Sequence, residues 1–105
     1  MITTIVEYKL PSALTRGEIL EKFKAAQEKF IHTKGLLKKY FCYNSSDATG
    51  TSVYLWESLS CAEAFFTSEM LHAFEKTFGC RPEVRHVDTL MTIDNVTDEV
   101  SVFHA

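Results

Sequence analysis

His86 is the side chain in this sequence best suited to acid–base chemistry. It lies in the middle of residues 83–93, where alternating polar and apolar side chains predict a β-strand. An imidazole gains and loses a proton near neutral pH, so His86 could act as a general base. A histidine held by a hydrogen bond for structural reasons alone explains the same pattern. We take His86 as the candidate catalytic residue, and the alternation predicts that Arg85 points to the opposite face.

Trp56 is the only tryptophan of the chain and the candidate wall of a ligand pocket. Tyr54 comes two residues earlier, so in an extended strand both rings lie on the same face. Their apolar surfaces, together with the indole N–H, would hold and orient an aromatic ligand. Placement in the core or in an interface is the alternative interpretation of Trp56.

Three further residues complete the predicted ligand-binding set, and they are Tyr40, His72 and Phe65. Tyr40 and Tyr43 fall on opposite faces of one predicted strand, so at most one of them contributes its phenol to a given cavity. His72 lies in a predicted helix and could reach a pocket beneath it, although an exposed helix histidine is the alternative. Phe65 belongs to a group of phenylalanines that helical spacing assigns to the core, part of which could also line the pocket.

The sequence carries no motif for a metal or a cofactor. The cysteines Cys42, Cys61 and Cys80 form no CxxC pair, and no short Cys/His cluster has the spacing of a zinc site. No glycine-rich phosphate loop, nucleophile elbow or metal-binding helix motif is present. We therefore predict no metal and no cofactor, and we expect the cysteines to be reduced thiols.

Charge and hydropathy argue against nucleic-acid and membrane partners. The formal net charge is −3, with Lys and Arg scattered along the chain, whereas binding to nucleic acid needs a basic face. No apolar run approaches the ~20 residues that span a bilayer, and the sequence does not begin with a basic segment followed by an apolar one. We predict a cytoplasmic protein with neither kind of partner.

The elements that must position the candidate residues follow the order β-α-β-β-α-β. The predicted elements are a strand over 1–9, a helix from Thr15 to Gly35, strands over 36–43 and 52–57, a helical region over 61–78 and a strand over 83–93. This order is typical of a ferredoxin-like α+β fold, an antiparallel sheet with its helices on one face. We predict one such domain over residues 1–95, followed by a C-terminal tail over 96–105.

Three helix starts can be read from the sequence. Thr15 and Glu18 have the spacing of a capping box, and so do Ser60 and Glu63. Within the second helical region, Thr67 is a suitable N-cap at which the helix could restart. The second region is therefore expected as two helices or as one helix with a kink.

The predicted hairpin is apolar on both faces, which favours a dimer. Val53 and Leu55 lie on one face of its second strand, while Tyr54 and Trp56 lie on the other. A sheet that helices cover on one side only should be polar on its other side. We therefore expect a second copy of the chain to cover the remaining face in a two-fold homodimer.

With these elements placed, the chain resembles the dimeric α+β barrel superfamily and, more narrowly, the YdhR-like monooxygenase family. The stretches that carry the resemblance are residues 35–40, 53–58, 62–65 and 82–95. It covers almost everything from the first strand to Asn95. One departure is that Gly50 is followed by Thr51 rather than by the second glycine that family members often carry.

The resemblance implies a homodimer with a pocket in each subunit, between the sheet and the helices. The relatives that are monooxygenases oxidise a phenol or hydroquinone with molecular oxygen, without metal or flavin, and the deprotonated substrate supplies the electrons. Such a site needs an apolar box, a base and a donor to the developing oxyanion. On this interpretation His86 is the base and Trp56 the wall. The alternative is a non-catalytic homodimer of the same fold that binds a small ligand or has a stress-related role.

Overall fold

The computed structural model of the protein describes residues 1–11 and 13–104. Its strands are β1 (Ile2–Lys9), β2 (Leu36–Asn44), β3 (Thr49–Trp56), β4 (Glu83–Asp88), β5 (Met91–Asp94) and β6 (Glu99–Val102). Its helices are α1 (Arg16–Ala25), α2 (Gln27–Ile31), α3 (Leu59–Phe65) and α4 (Ser68–Phe78). Ser12, and Ala105 at the end of the predicted tail, lie outside the described residues.

Four strands form one antiparallel sheet in the order β2-β3-β1-β4. The first and third strands of the sequence therefore lie side by side in the centre, and the two edges are β2 and β4. The predicted mixed α+β class with an antiparallel sheet is confirmed, and the strand order is compatible with the ferredoxin-like arrangement.

The two faces of this sheet differ in burial because side chains alternate along each strand. One face, which we call the covered face, packs on the helices and includes Ile2, Thr4, Val6, Tyr8, Tyr54, Trp56, Val84 and His86. The other, which we call the open face, includes Thr3, Ile5, Tyr40, Val53, Leu55 and Val87. Apolar side chains thus occupy both faces, as the sequence predicts.

The helices begin as expected in two of three cases. Thr15 and Glu18 form the predicted capping box at the start of α1, and the Thr67 side chain caps α4. The prediction for α3 was wrong, because Ser58 rather than Ser60 is its N-cap. The Ser58 backbone is extended, and its hydroxyl accepts a hydrogen bond from the Cys61 N–H at 3.3 Å. That bond satisfies a backbone donor that has no partner within the helix.

The first predicted helix is two helices separated at Ala26. The Ala26 N–H is shared between the carbonyls of Lys22 and Phe23, which tightens the chain locally before α2 begins. Gly35 then adopts a left-handed conformation with φ 78° after this helical region. Gly79 does the same after α4, with φ 77°. Both positions are those at which glycine commonly ends a helix.

The last predicted strand, residues 83–93, is also divided. At its middle the Thr89 N–H donates to the Met1 carbonyl. The carbonyl of the next residue, Leu90, accepts from the Phe103 N–H instead, so the chain leaves the main sheet at this point. β5 and β6 then pair with each other as a separate antiparallel hairpin, which we call the C-terminal hairpin (residues 91–102). The predicted boundary at residue 95 falls within the turn of this hairpin. In the described part of the chain, no helix is long and apolar enough to cross a bilayer.

Candidate functional site

A cluster of four aromatic rings lies between the covered face and α3. It consists of Tyr54, Trp56, Phe65 and Phe66, and we call it the aromatic cluster. The Trp56 ring stacks on Tyr54 at a centroid distance of 5.7 Å and an interplanar angle of 9°. Phe65 and Phe66 approach Trp56 to 5.6 and 6.1 Å, and they meet each other edge to face. Such offset and edge-to-face pairs add to the stabilisation that burial alone provides.

Local structure explains how these rings come together. Two-residue alternation along β3 places Tyr54 and Trp56 on the covered face. The chain then enters α3 directly after the strand, because Ser58 caps the helix. Phe65 and Phe66 stand at the other end of this short helix, which brings them back over the sheet.

Trp56 has a buried hydrogen-bond donor without an acceptor. The residue is 0% exposed. Across residues 1–11 and 13–104, its Nε1 is the one fully enclosed side-chain nitrogen or oxygen that makes no hydrogen bond. Leaving such a group unpaired costs about 1–3 kcal/mol. An oxygen acceptor on a ligand that reached the indole would remove this cost.

His86 lies at the border of the aromatic cluster. Across three neighbouring strands, Thr4 pairs with Tyr54 on one side and with His86 on the other. The His86 Nδ1 and the buried Thr4 hydroxyl are 2.7 Å apart. The imidazole also packs on Phe66, with ring centroids 5.6 Å apart. The structure therefore brings His86 to the side of Phe66 on the same face as Trp56.

The Thr4 contact determines what His86 can do. If Nδ1 carries the proton and donates to the Thr4 oxygen, then Nε2 has a free lone pair and can accept a proton. In the other tautomer the Thr4 hydroxyl donates to Nδ1, and Nε2 is itself a donor. The hydrogen bond thus orients the ring in both cases, and base chemistry requires the first tautomer.

Tyr54 contributes a surface rather than a base. Burial, with a smaller contribution from Tyr8, raises the pKa of its phenol above the ordinary value. The phenol therefore remains protonated at neutral pH. It can pack against a ligand or donate a hydrogen bond, but it does not remove a proton.

The structure does not bring Tyr40 and His72 to this cluster. Tyr40 lies on the open face, opposite to Trp56, and is 51% exposed. His72 is exposed on α4, where it lines a shallow depression of about 460 Å³ together with Ser68, Glu69, Ala73 and Lys76. A second depression, of about 320 Å³, lies around Tyr8 and Cys80. Neither depression is lined by a residue of the aromatic cluster.

Two residues of the site, Thr4 and Phe66, were not predicted from the sequence. Thr4 carries no special signal, because only strand pairing places its hydroxyl beside His86. Phe66 had a usable signal, since it directly follows Phe65 and precedes the predicted cap Thr67. A residue in that position leaves the helix and can turn back towards the sheet.

Within the described ranges, no three His, Cys, Asp or Glu side chains are grouped as metal ligands. A scan of the sequence against models of known protein families finds no match, and a search of curated proteins finds none either.

Proposed function

We propose that this protein is a homodimeric α+β barrel of the YdhR-like kind that oxidises a small phenol or hydroquinone with molecular oxygen, without a cofactor. The observation that carries the proposal is the unpaired Trp56 Nε1 inside a cluster of aromatic rings, with His86 at its border. An aromatic substrate with a phenolic oxygen matches both features. The family resemblance of the sequence supplies the reaction class.

Each residue then has a defined role. The rings of the aromatic cluster hold the ring of the substrate, and Trp56 Nε1–H donates to its oxygen. His86 accepts the phenolic proton at Nε2 while Thr4 holds its Nδ1–H. Phe66 lies in contact with both Trp56 and His86, so its ring must rotate to admit the substrate.

The reaction balances without an external reductant. Hydroquinone and oxygen give hydroxyquinone and water, because one oxygen atom enters the ring and the other leaves as water. The deprotonated hydroquinone supplies all the electrons. The contribution asked of His86 is the proton removal that makes this electron transfer possible.

We expect the purified protein to consume oxygen with a panel of substituted hydroquinones, and His86→Ala to lose this activity. Removal of a general base lowers the rate constant kcat by about 10²–10⁴-fold. The control is His32→Ala, because His32 is exposed at the end of α2 and far in the chain from the cluster. Oxygen-electrode rates and product mass spectra are the measurements. Full activity in His86→Ala would remove this residue from the mechanism.

Two apolar surfaces favour the proposed dimer. The open face presents Ile5, Val53 and Leu55 in its centre, and all three are only partly buried. The C-terminal hairpin presents a second apolar surface, formed by Met91, Ile93, Val100 and Val102, which are 55–64% exposed. Burying both surfaces against a second copy would give the sheet the cover that an apolar face requires.

We expect Val53→Asp to convert the dimer into a monomer. The change places a charge in the middle of the open face, where a face-to-face partner would have to desolvate it. Analytical ultracentrifugation gives the mass, and far-UV circular dichroism confirms that the variant folds. Ser45→Asp, in the exposed turn between β2 and β3, is the control and should leave the mass unchanged. A wild-type protein that is monomeric at micromolar concentration would contradict the dimer.

The non-catalytic alternative is favoured by one specific observation. The aromatic cluster fills its own space, since Trp56 is 0% exposed and is in contact with three rings. Calorimetric titration with a phenol under nitrogen separates the two functions. Binding without oxygen uptake in air assigns the protein as a ligand-binding module. Absence of binding leaves the cluster as a structural core.

A further inference from the structure

Lys39 places its ammonium group among aromatic rings. It lies on the edge strand β2 and points to the helix-covered side of the sheet. Its Nζ is 3.2 Å from the ring centroid of Phe30, 4.0 Å from that of Phe41 and 4.4 Å from that of Tyr54. We call this arrangement the lysine box. It brings together residues from α2, β2 and β3.

No carboxylate neutralises this amine. In the chain as described, the one ion pair of a lysine or arginine joins Lys24 to Glu21. The charged group that acts on Lys39 is another cation, Lys29. The titratable group on the other side of the box is the Tyr54 phenol, which burial keeps protonated. The box is therefore apolar and carries no compensating negative charge.

The amine is nevertheless in contact with solvent. Lys39 is half-buried, and none of the hydrogen bonds within residues 1–11 and 13–104 involves its Nζ. Trp56 Nε1 is the one fully enclosed side-chain polar atom without a partner in those same ranges, so Lys39 Nζ is not fully enclosed. Its position on an edge strand is consistent with this access.

Two effects compete for the charge of Lys39. Burial, with Lys29 as the smaller cause, lowers the pKa of the Lys39 ammonium to about 7. The ring faces oppose this, because cation–π contacts stabilise the charged form by about 0.5–2 kcal/mol. Desolvation without a counter-ion favours the neutral form, and we take it as the larger of the two effects. A substantial fraction of neutral amine is therefore present at neutral pH.

We propose that Lys39 is a nucleophilic amine that forms a Schiff base with small aromatic aldehydes. The Nζ lone pair attacks the aldehyde carbon and gives a carbinolamine. One amine hydrogen moves to the oxygen as the carbinolamine forms, the remaining N–H hydrogen leaves with the hydroxyl as water, and the imine remains. Amine and aldehyde thus give imine and water, and no oxidant or reductant takes part.

The rings of the box determine the class of aldehyde. Phe30 and Phe41 border Nζ, and an aromatic ring attached to the reacting carbon would meet them edge to face or offset. An aliphatic aldehyde of the same reactivity gains less from this contact. The site is separate from the chemistry proposed for His86, although Tyr54 belongs to both the box and the aromatic cluster.

Trapping with benzaldehyde tests the proposal. The full chain is incubated with benzaldehyde at pH 7 and reduced with borohydride, and the benzylated lysines are located by peptide mass spectrometry. The internal reference is the neighbour Lys38, whose pKa is raised by interaction with the Tyr40 hydroxyl. At pH 7 an ordinary lysine is neutral in only about one molecule in 3,000. The difference in neutral fraction favours Lys39, but a lower pKa also reduces the intrinsic nucleophilicity of the amine. We therefore expect Lys39 to be labelled at least about tenfold faster than Lys38.

Three further measurements test whether Lys39 is the reactive amine. The preference for Lys39 should shrink above pH 10, where all lysines become neutral. Lys39→Arg should lose the fast label, whereas Lys38→Arg should keep it, and acetaldehyde should show a smaller preference for Lys39 than benzaldehyde does. Equal or slower labelling of Lys39 in the wild-type protein at pH 7 overturns the proposal, whether or not the Arg variant folds. That result would mean that the rings keep the amine charged.

Discussion

Trp56→Ala should lower the free energy of unfolding by about 3–5 kcal/mol, the range for truncating a buried aromatic side chain. Trp56 is fully buried and contacts the three other rings of its cluster, so Ala leaves a cavity that these rings cannot fill. Chemical denaturation followed by far-UV circular dichroism measures the change. Indole added to the variant should restore part of the stability, because an apolar cavity binds a ligand that fits it.

Trp56→Phe is the matched control for this result. It keeps an aromatic ring in the cluster and deletes the Nε1 donor that has no acceptor within the described chain. Its cost should be less than half that of Trp56→Ala, since the lost volume is smaller and an unpaired buried group disappears. A loss as large as that of the Ala variant would show that the N–H is engaged in the folded protein.

Gly35→Ala should be the most destabilising change in a loop and should lower the free energy of unfolding by about 2–5 kcal/mol. The left-handed backbone costs a non-glycine residue about 1–2 kcal/mol. In addition, an added Cβ would overlap the Cys61 side chain at both Sγ and Cβ, and overpacking of this kind costs about 1–3 kcal/mol. The Gly35 carbonyl accepts from Glu57 N–H at 2.8 Å, so the shift would also disturb the start of β2.

Gly79→Ala separates the two contributions. Gly79 has nearly the same left-handed conformation, with φ 77°, but among the described residues no atom beyond its own chain neighbours lies within 4 Å of the position of an added Cβ. Gly79→Ala should therefore lower the free energy of unfolding only by the cost of the left-handed backbone, about 1–2 kcal/mol. Denaturation midpoints of the two variants, measured under the same conditions, give the comparison. Equal losses would mean that the helix bearing Cys61 moves away without cost.

The predictable part of the candidate site is the part that follows from alternation along single strands. Tyr54 and Trp56 share a face because they are two residues apart, and His86 shares one with Val84 for the same reason. Sequence reasoning cannot say that these faces are the same face, because that depends on the pairing of both strands with β1. Tyr40 is separated from the cluster by the pairing of β2 with β3, which sets it opposite Val53 on the open face.

Two of the unpredicted features depend on contacts between residues that are distant in the chain. The environment of Lys39 needs rings from α2 and β3, which lie on either side of it in the chain. The division of the last strand depends on the Met1 carbonyl, which accepts from Thr89. The α3 cap is different, since Ser58 and Ser60 are both suitable N-caps and the choice depends on where β3 ends.

The enclosure of the lone indole has a spectroscopic consequence. Tryptophan phosphorescence from this protein comes from a single indole, which is 0% exposed. Dissolved oxygen quenches that emission by collision, so the phosphorescence lifetime measures how fast the gas diffuses through the surrounding rings. The Trp56 phosphorescence lifetime therefore reports how readily oxygen reaches the place where the proposed reaction would consume it.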